Sequence, residues 1–287
     1  MRLQLLSDLH LETQPDFVAP VVPGADLLVL AGDVGSYQSG SQLAEDDFGL
    51  GRFSPRRGAP WKRVLYVPGN HEYDGLEFDT AHARLRALCE ELGIVWLERE
   101  VLELEGIRFV GCTLWTDFDA LAAGAPAAEA LAQRGKAFRA ADYYLSRNTT
   151  LRDGRPMLAA DLRELGLASQ AWLEQVLRTP HDGPTVVITH FAPSLRSADP
   201  RYGVTPATAG FCNALDHLLP HADLWLHGHL HCRNDYVVEG EHDGRHWRCR
   251  VAANPLGYAR KGEQAAFRAD FFIDLPNELQ ALRGAQT

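Results

Sequence analysis

Six short apolar runs punctuate the chain, at residues 3–6, 27–30, 64–67, 108–111, 186–188 and 224–226. Their length and β-branched content predict buried strands. Between several of them the apolar positions switch to helical spacing. Residues 80–92 place Ala81, Leu85, Leu88 and Leu92 at helical spacing, and residues 169–177 do the same with Ala171, Leu173, Val176 and Leu177. Strand alternating with helix predicts an α/β architecture. The tail reads differently: residues 235–239, 247–253 and 271–275 predict antiparallel strands, the first two joined through Asp243-Gly244.

Two segments break the pattern. Residues 35–60 are rich in Gly, Ser, Pro and charge with no clean period. Loops this long are usually functional or disordered. Residues 121–165 are Ala-rich and helical, interrupted by Gly124, Pro126 and Gly154. They predict a helical insertion, about residues 115–168, inside one domain spanning 1–287.

Composition narrows the class. Hydrophobic residues make up 46% of the 287, enough for a sizeable core. No apolar run approaches the ~20 residues of a membrane helix. Asp8 interrupts the first apolar run too early for a secretory signal. The five cysteines are odd in number and lack CxxC spacing, which predicts free thiols in a reducing cytoplasm. The net charge of −10 argues against long nucleic acid, whose binders present basic surfaces.

The chemistry sits where strands end. Apolar runs stop at Ser7-Asp8-Leu9-His10, at Gly32-Asp33, at Gly69-Asn70-His71-Glu72, at Thr189-His190 and at Gly228-His229-Leu230-His231. In open α/β sheets ligands bind outside the carboxyl ends of strands, so these scattered points can converge on one crevice. Residues two apart in an extended segment point the same way, which predicts that Asp8 faces the site with His10, and His229 with His231. Imidazole and carboxylate donors without cysteine suit zinc, iron or manganese.

In this order the blocks DLH, GD, GNHE, TH and GHLH resemble the calcineurin-like metallophosphoesterase superfamily, over residues 8–231. The resemblance implies two mixed β-sheets packed as a sandwich with flanking helices, in four layers. It implies two divalent metal ions, manganese first among manganese, iron and zinc. Asp8, His10 and His231 would hold one ion, and Asn70, His190 and His229 the other, with Asp33 bridging both. His71 would lie outside the metals as the catalytic residue, touching the phosphoryl oxygen or the leaving group. Such a pair clamps phosphoryl oxygens and activates hydroxide near neutral pH.

The implied activity is hydrolysis of small phosphate esters, phosphodiesters included; the alternative is a phosphomonoesterase or nucleotidase on the same metals. The protein phosphatase branch continues its GD block as GDxVDRG, whereas this chain reads Gly32-Asp33-Val34-Gly35-Ser36-Tyr37. The lipid A precursor hydrolase branch has arginine where His71 stands. A non-catalytic scaffold would have lost ligands that this chain keeps.

Other residues carry weaker expectations. Trp115 and Asp117 follow a strand end, and Trp115 is expected near substrate, with the insertion and the 35–60 loop bordering the cleft. His227 is expected to orient or pack behind the metals. His82, His181, His217, His221, His242 and His246 are expected at the solvated surface, and Tyr143 and Tyr144 in packing. Asn254-Pro255-Leu256-Gly257-Tyr258 resembles an NPxGY element of bacterial members and is expected to buttress the metal loops.

Overall fold

A computed structural model describes residues 1–242 and 244–284. The chain begins with β1 (Arg2–Leu6), β2 (Leu27–Ala31) and β3 (Arg63–Val67), then α1 (Phe78–Leu92) and β4 (Val95–Trp96). It continues through β5 (Glu100–Leu104), β6 (Ile107–Cys112), α2 (Ala127–Leu145), the short hairpin β7 (Leu151–Arg152) and β8 (Arg155–Pro156), and α3 (Ala159–Arg178). After β9 (Thr185–Thr189) and β10 (Leu224–His227) come β11 (Asn234–His242), β12 (Arg245–Ala253), β13 (Phe272–Asp274) and α4 (Leu275–Gly284).

The strands form two mixed sheets, ordered β13-β1-β2-β3-β4 and β11-β12-β10-β9-β6-β5. Strand alternation builds the layers, because successive side chains take opposite faces. Leu3, Leu5, Leu27, Val29, Leu65 and Val67 of the first sheet meet Phe109, Val186, Ile188, Leu224 and Leu226 of the second. The intervening positions Leu28, Leu30, Val64 and Tyr66 pack outward with Ala81, Leu85, Cys89 and Leu92 of α1. On the far side, Val110, Val187, Trp225 and Val251 cluster with Leu173 and Leu177 of α3. Both faces of each central strand are therefore buried, which is why the runs read as continuous rather than alternating hydrophobicity. The result is the four-layer α/β sandwich expected from the resemblance.

Several expectations need adjusting. The 115–168 segment is not simply helical: α2 is followed by a hairpin, and α3 starts inside the segment and continues as one helix to Arg178. The 35–60 segment contains 3₁₀ turns at Leu50–Phe53 and Pro55–Arg57 and sends Phe48, Leu50 and Phe53 into the core. The tail strands β11 and β12 are antiparallel to each other, but β12 runs parallel to β10. Their register closes at His242 and Arg245; Asp243, the first residue of the expected turn, lies outside the described residues.

Candidate metal centre

The parallel strands β1, β2 and β3 of one sheet and β9 and β10 of the other deliver the five blocks to one crevice. The backbone there is not extended. Asp8, His10, Asp33, His229 and His231 have φ of 52°, 47°, 54°, 71° and 49°. Asp8 does converge with His10, and His229 with His231, but through alternating left-handed residues rather than a pleat. Left-handed backbone costs an ordinary residue roughly 1–3 kcal/mol, and it gathers at functional sites.

Close approach needs the neighbouring glycines. A β-carbon on Gly69 would overlap the Asp33 carboxylate, and one on Gly32, whose φ is 84°, would collide with the His190 ring.

Donor atoms of Asp8, His10, Asp33 and His231 lie within 4.8 Å of one another, and so do those of Asp33, His190 and His229. Asp33 belongs to both groups. His10 Nδ1 bonds Glu12 at 3.0 Å and His231 Nδ1 bonds Glu263 at 2.6 Å. Those carboxylates claim the Nδ1 protons, so in the neutral rings the two Nε2 atoms, 2.9 Å apart, both present lone pairs. His190 donates from Nδ1 to the Ala31 carbonyl at 2.9 Å. Its Nε2 then faces Asp33 Oδ2 at 3.2 Å, Asn70 Oδ1 at 3.1 Å and His229 Nδ1 at 3.2 Å. Asp33 Oδ2 is buried and has no hydrogen-bond donor. Acceptors converging on acceptors fit cations between them, and the donor set suits two divalent metals.

The field is strongly favourable to positive charge. Burial opposes protonation of His190 and His231, yet Asp33 and Asp8 carry both up to about 9. Burial raises Asp8, but its bond to His231 and the imidazole charges bring it down to about 2. Metal and proton compete for the same nitrogens.

His71 stands beside these groups. Its N–H donates to Asp33 Oδ1 at 2.9 Å, and its ring lies 5.0 Å from that of His10. Nδ1 is held by Asp74 Oδ2 at 2.6 Å, and the side chain is 23% exposed. Burial disfavours its charge, but Asp74 and Asp33 prevail and hold its pKa up at about 10.

Residues 1–233 match the model of the calcineurin-like phosphoesterase family. The chain belongs to that family. It is a metal-dependent phosphoester hydrolase with a clustered Asp/His site of the dinuclear kind. An uncharacterised protein, L509, of Acanthamoeba polyphaga mimivirus is 25% identical over 262 residues, 86% of this chain and 83% of that protein. The phosphopantetheinyl hydrolase of Mycobacterium tuberculosis shares the fold, with a TM-score of 0.59, 24% identity and 92% of each chain covered.

Sequence reading passed over the carboxylates behind this phosphoesterase site. Glu12, Asp74 and Glu263 orient His10, His71 and His231. Glu72 is fully buried and accepts from the N–H groups of Asp33 at 3.1 Å, Val34 at 2.7 Å and Gly69 at 2.9 Å. Burial and the Asp33 charge push it up to about 7, while those N–H bonds pull against them. Glu12 lies two residues after His10 and Asp74 three after His71, a usable signal; Glu263 is marked by nothing local. The 254–258 element does support the site: Leu256 and Gly257 donate to the carbonyls of Ser7 and Asp8, both at 3.0 Å. Tyr258 stacks on His10 with centroids 4.2 Å apart.

Other placements differ from expectation. Trp115 is 3% exposed and enclosed by Tyr73, Phe78 and Phe191. That placement makes it a packing residue beneath the His190 loop and not a substrate contact. Asp117 accepts from the Asp119 N–H within its own turn. Tyr143 and Tyr144, expected in packing, are 56% and 68% exposed. His227 is buried behind the centre on Ser197 Oγ at 3.0 Å. His217, His242 and His246 are exposed, whereas His82, His181 and His221 are half-buried, His82 through a bond to the Tyr73 hydroxyl.

Proposed function

We propose that this enzyme hydrolyses small phosphate esters, phosphodiesters included, by attack of water at phosphorus. The observation that carries the reading is one carboxylate, Asp33, shared by two ligand groups while the His71 N–H is anchored to it. Asp8, His10 and His231 would hold one cation, Asn70, His190 and His229 the second, with Asp33 between. When bound, two divalent cations neutralise phosphoryl charge and lower the pKa of the attacking water. Manganese, iron and zinc all match these donors, and we place manganese first.

The chain's own part is to hold and give a proton. Asp74 takes His71 Nδ1, so Nε2 is the nitrogen available to the leaving group. Water gives up a proton to solvent as its oxygen adds to phosphorus, the ester P–O bond breaks, and the departing oxygen takes the Nε2 proton, which His71 regains from solvent. Help of this kind is worth ~10²–10⁴ in rate.

Substrate charge supports the diester reading. Among the described residues, no Arg or Lys side chain bonds a side chain of the seven ligands. A diester carries one charge less than a monoester dianion and so asks for fewer cations beyond the metals. The net charge of −10 supports a small substrate over long nucleic acid. All five cysteines are free thiols, and no helix among the described residues is long and apolar enough to cross a membrane. The thiols support the reducing cytoplasm as its compartment.

The test is a screen of the purified protein with metal content measured on the same sample. Its panel holds phosphodiesters, phosphomonoesters, duplex DNA and, following the structural neighbour, a phosphopantetheinylated protein. Two metals per chain with diesters turned over fastest supports the reading. A preference for monoesters or for duplex DNA overturns it.

A further inference from the structure

The two segments that break the sequence pattern meet over the catalytic histidine. Asn148 follows α2 in the insertion, and Gln38 lies in the 35–60 loop. The Asn148 amide donates one hydrogen to Asp74 Oδ2 at 3.1 Å and one to Gln38 Oε1 at 2.8 Å. Gln38 Nε2 in turn donates to Glu12 Oε1 at 3.3 Å. The ends of this chain are carboxylates that only accept, so both amides have a single consistent orientation. One end orients His71 at 2.6 Å and the other orients His10 at 3.0 Å. Backbone bonds lace the same arm of the insertion to the His71 loop: Gly75 N to Thr149 O at 2.9 Å and Leu151 N to Leu76 O at 2.8 Å.

We propose that Asn148 and Gln38 are positioning residues, a clasp through which the insertion holds Asp74 against His71 and sets the proton donor relative to the ligand His10. The proposal rests on the role given to His71 above. His71 Nδ1 pairs with Asp74, and the Asp74 oxygen it uses is the oxygen Asn148 holds. Without Asn148 that carboxylate loses the one side-chain tether it has besides His71 among the described residues, and the ring loses its fixed direction toward the leaving oxygen. Metal donors keep their own orienters and stay loaded.

The experiment compares Asn148→Leu and Asn148→Asp with His71→Ala on a series of aryl and alkyl phosphodiesters of rising leaving-group pKa. Asn148 is exposed and lies outside helix and strand, so both variants fold, and Asn148→Asp keeps the size while placing a charge against Asp74. For poor leaving groups kcat falls roughly 3- to 10-fold in Asn148→Leu, the size of one hydrogen bond's net contribution. Good leaving groups are nearly unaffected, KM and metal content are unchanged, and Asn148→Asp falls at least as far. Adding Asn148→Leu to His71→Ala produces no further loss, because both act through one proton donor. A loss equal for all leaving groups, a loss that multiplies in the double variant, or a loss of metal overturns the clasp while leaving His71 in place. If His71→Ala itself shows no dependence on the leaving group, both the clasp and the role of His71 fail.

Discussion

Replacing Glu72 tests whether the metal loops are held by buried hydrogen bonds. Its carboxylate accepts three backbone N–H groups, from Asp33, Val34 and Gly69, and so ties the loop after β2 to the loop after β3. In Glu72→Ala those donors stay buried without partners, at about 1–3 kcal/mol each. The total approaches the whole stability of an ordinary domain, about 5–15 kcal/mol. Glu72→Gln is gentler. Its oxygen can serve Asp33 and Gly69, but its amide then meets the Val34 N–H donor to donor, at a cost of about 1–3 kcal/mol. At roughly 2–4 °C per kcal/mol for a chain of this size, the Gln variant melts several degrees lower. The assay is thermal unfolding of metal-stripped protein, with metal content after reloading, since bound metal adds stability of its own. We expect the order wild type, Glu72→Gln, Glu72→Ala in both melting temperature and metal retained. An Ala variant that melts like wild type and reloads two metals would refute the reasoning.

Replacing His71 by Ala lowers kcat by ~10²–10⁴ and leaves metal content intact, read by turnover and elemental analysis; lost metal would make it a ligand. Trp115→Ala costs about 3–5 kcal/mol of stability in a urea titration, as for other buried aromatics, while KM barely changes. A raised KM at unchanged stability would return Trp115 to the substrate. Metal affinity declines on acidification, because protons compete at His190 and His231, which both rise to about 9. Titration of stripped protein with manganese at several pH values checks this, and an affinity independent of pH contradicts it.

The residues that gather in the crevice stood out because each lies within four residues of the end of a buried apolar strand, where no packing reason calls for Asp, Asn or His. Their backbone was not legible. Spacing of two suggested a pleat for Asp8 and His10, and the chain reaches the same convergence with two left-handed residues. The orienting carboxylates escaped because their partners are remote: Glu263 meets His231 only when 3₁₀ turns after β12 fold back. Trp115 misled because a strand end says where a residue sits but not which way its ring turns. Helix α2 misled in the other direction. It packs Ala137, Phe138, Ala141 and Leu145 against the core, and Tyr143 and Tyr144 lie off that face and are exposed. The edge strand β5 reads Glu-Val-Leu-Glu-Leu over Glu100–Leu104 with burial that alternates along it, so it has no continuous apolar run to mark it.

The central claim is that one carboxylate serves two metals. It is tested most directly by elemental analysis of Asp33→Ala beside wild type, both reloaded with manganese and assayed on the same phosphodiester. Asp33 Oδ2 is a buried oxygen with no donor, and Asp33 belongs to both ligand groups. The account predicts two metals per chain in wild type, close to none in the variant, and hydrolysis reduced to background. An Asp33→Ala protein that folds, holds two metals and still turns over substrate would contradict it.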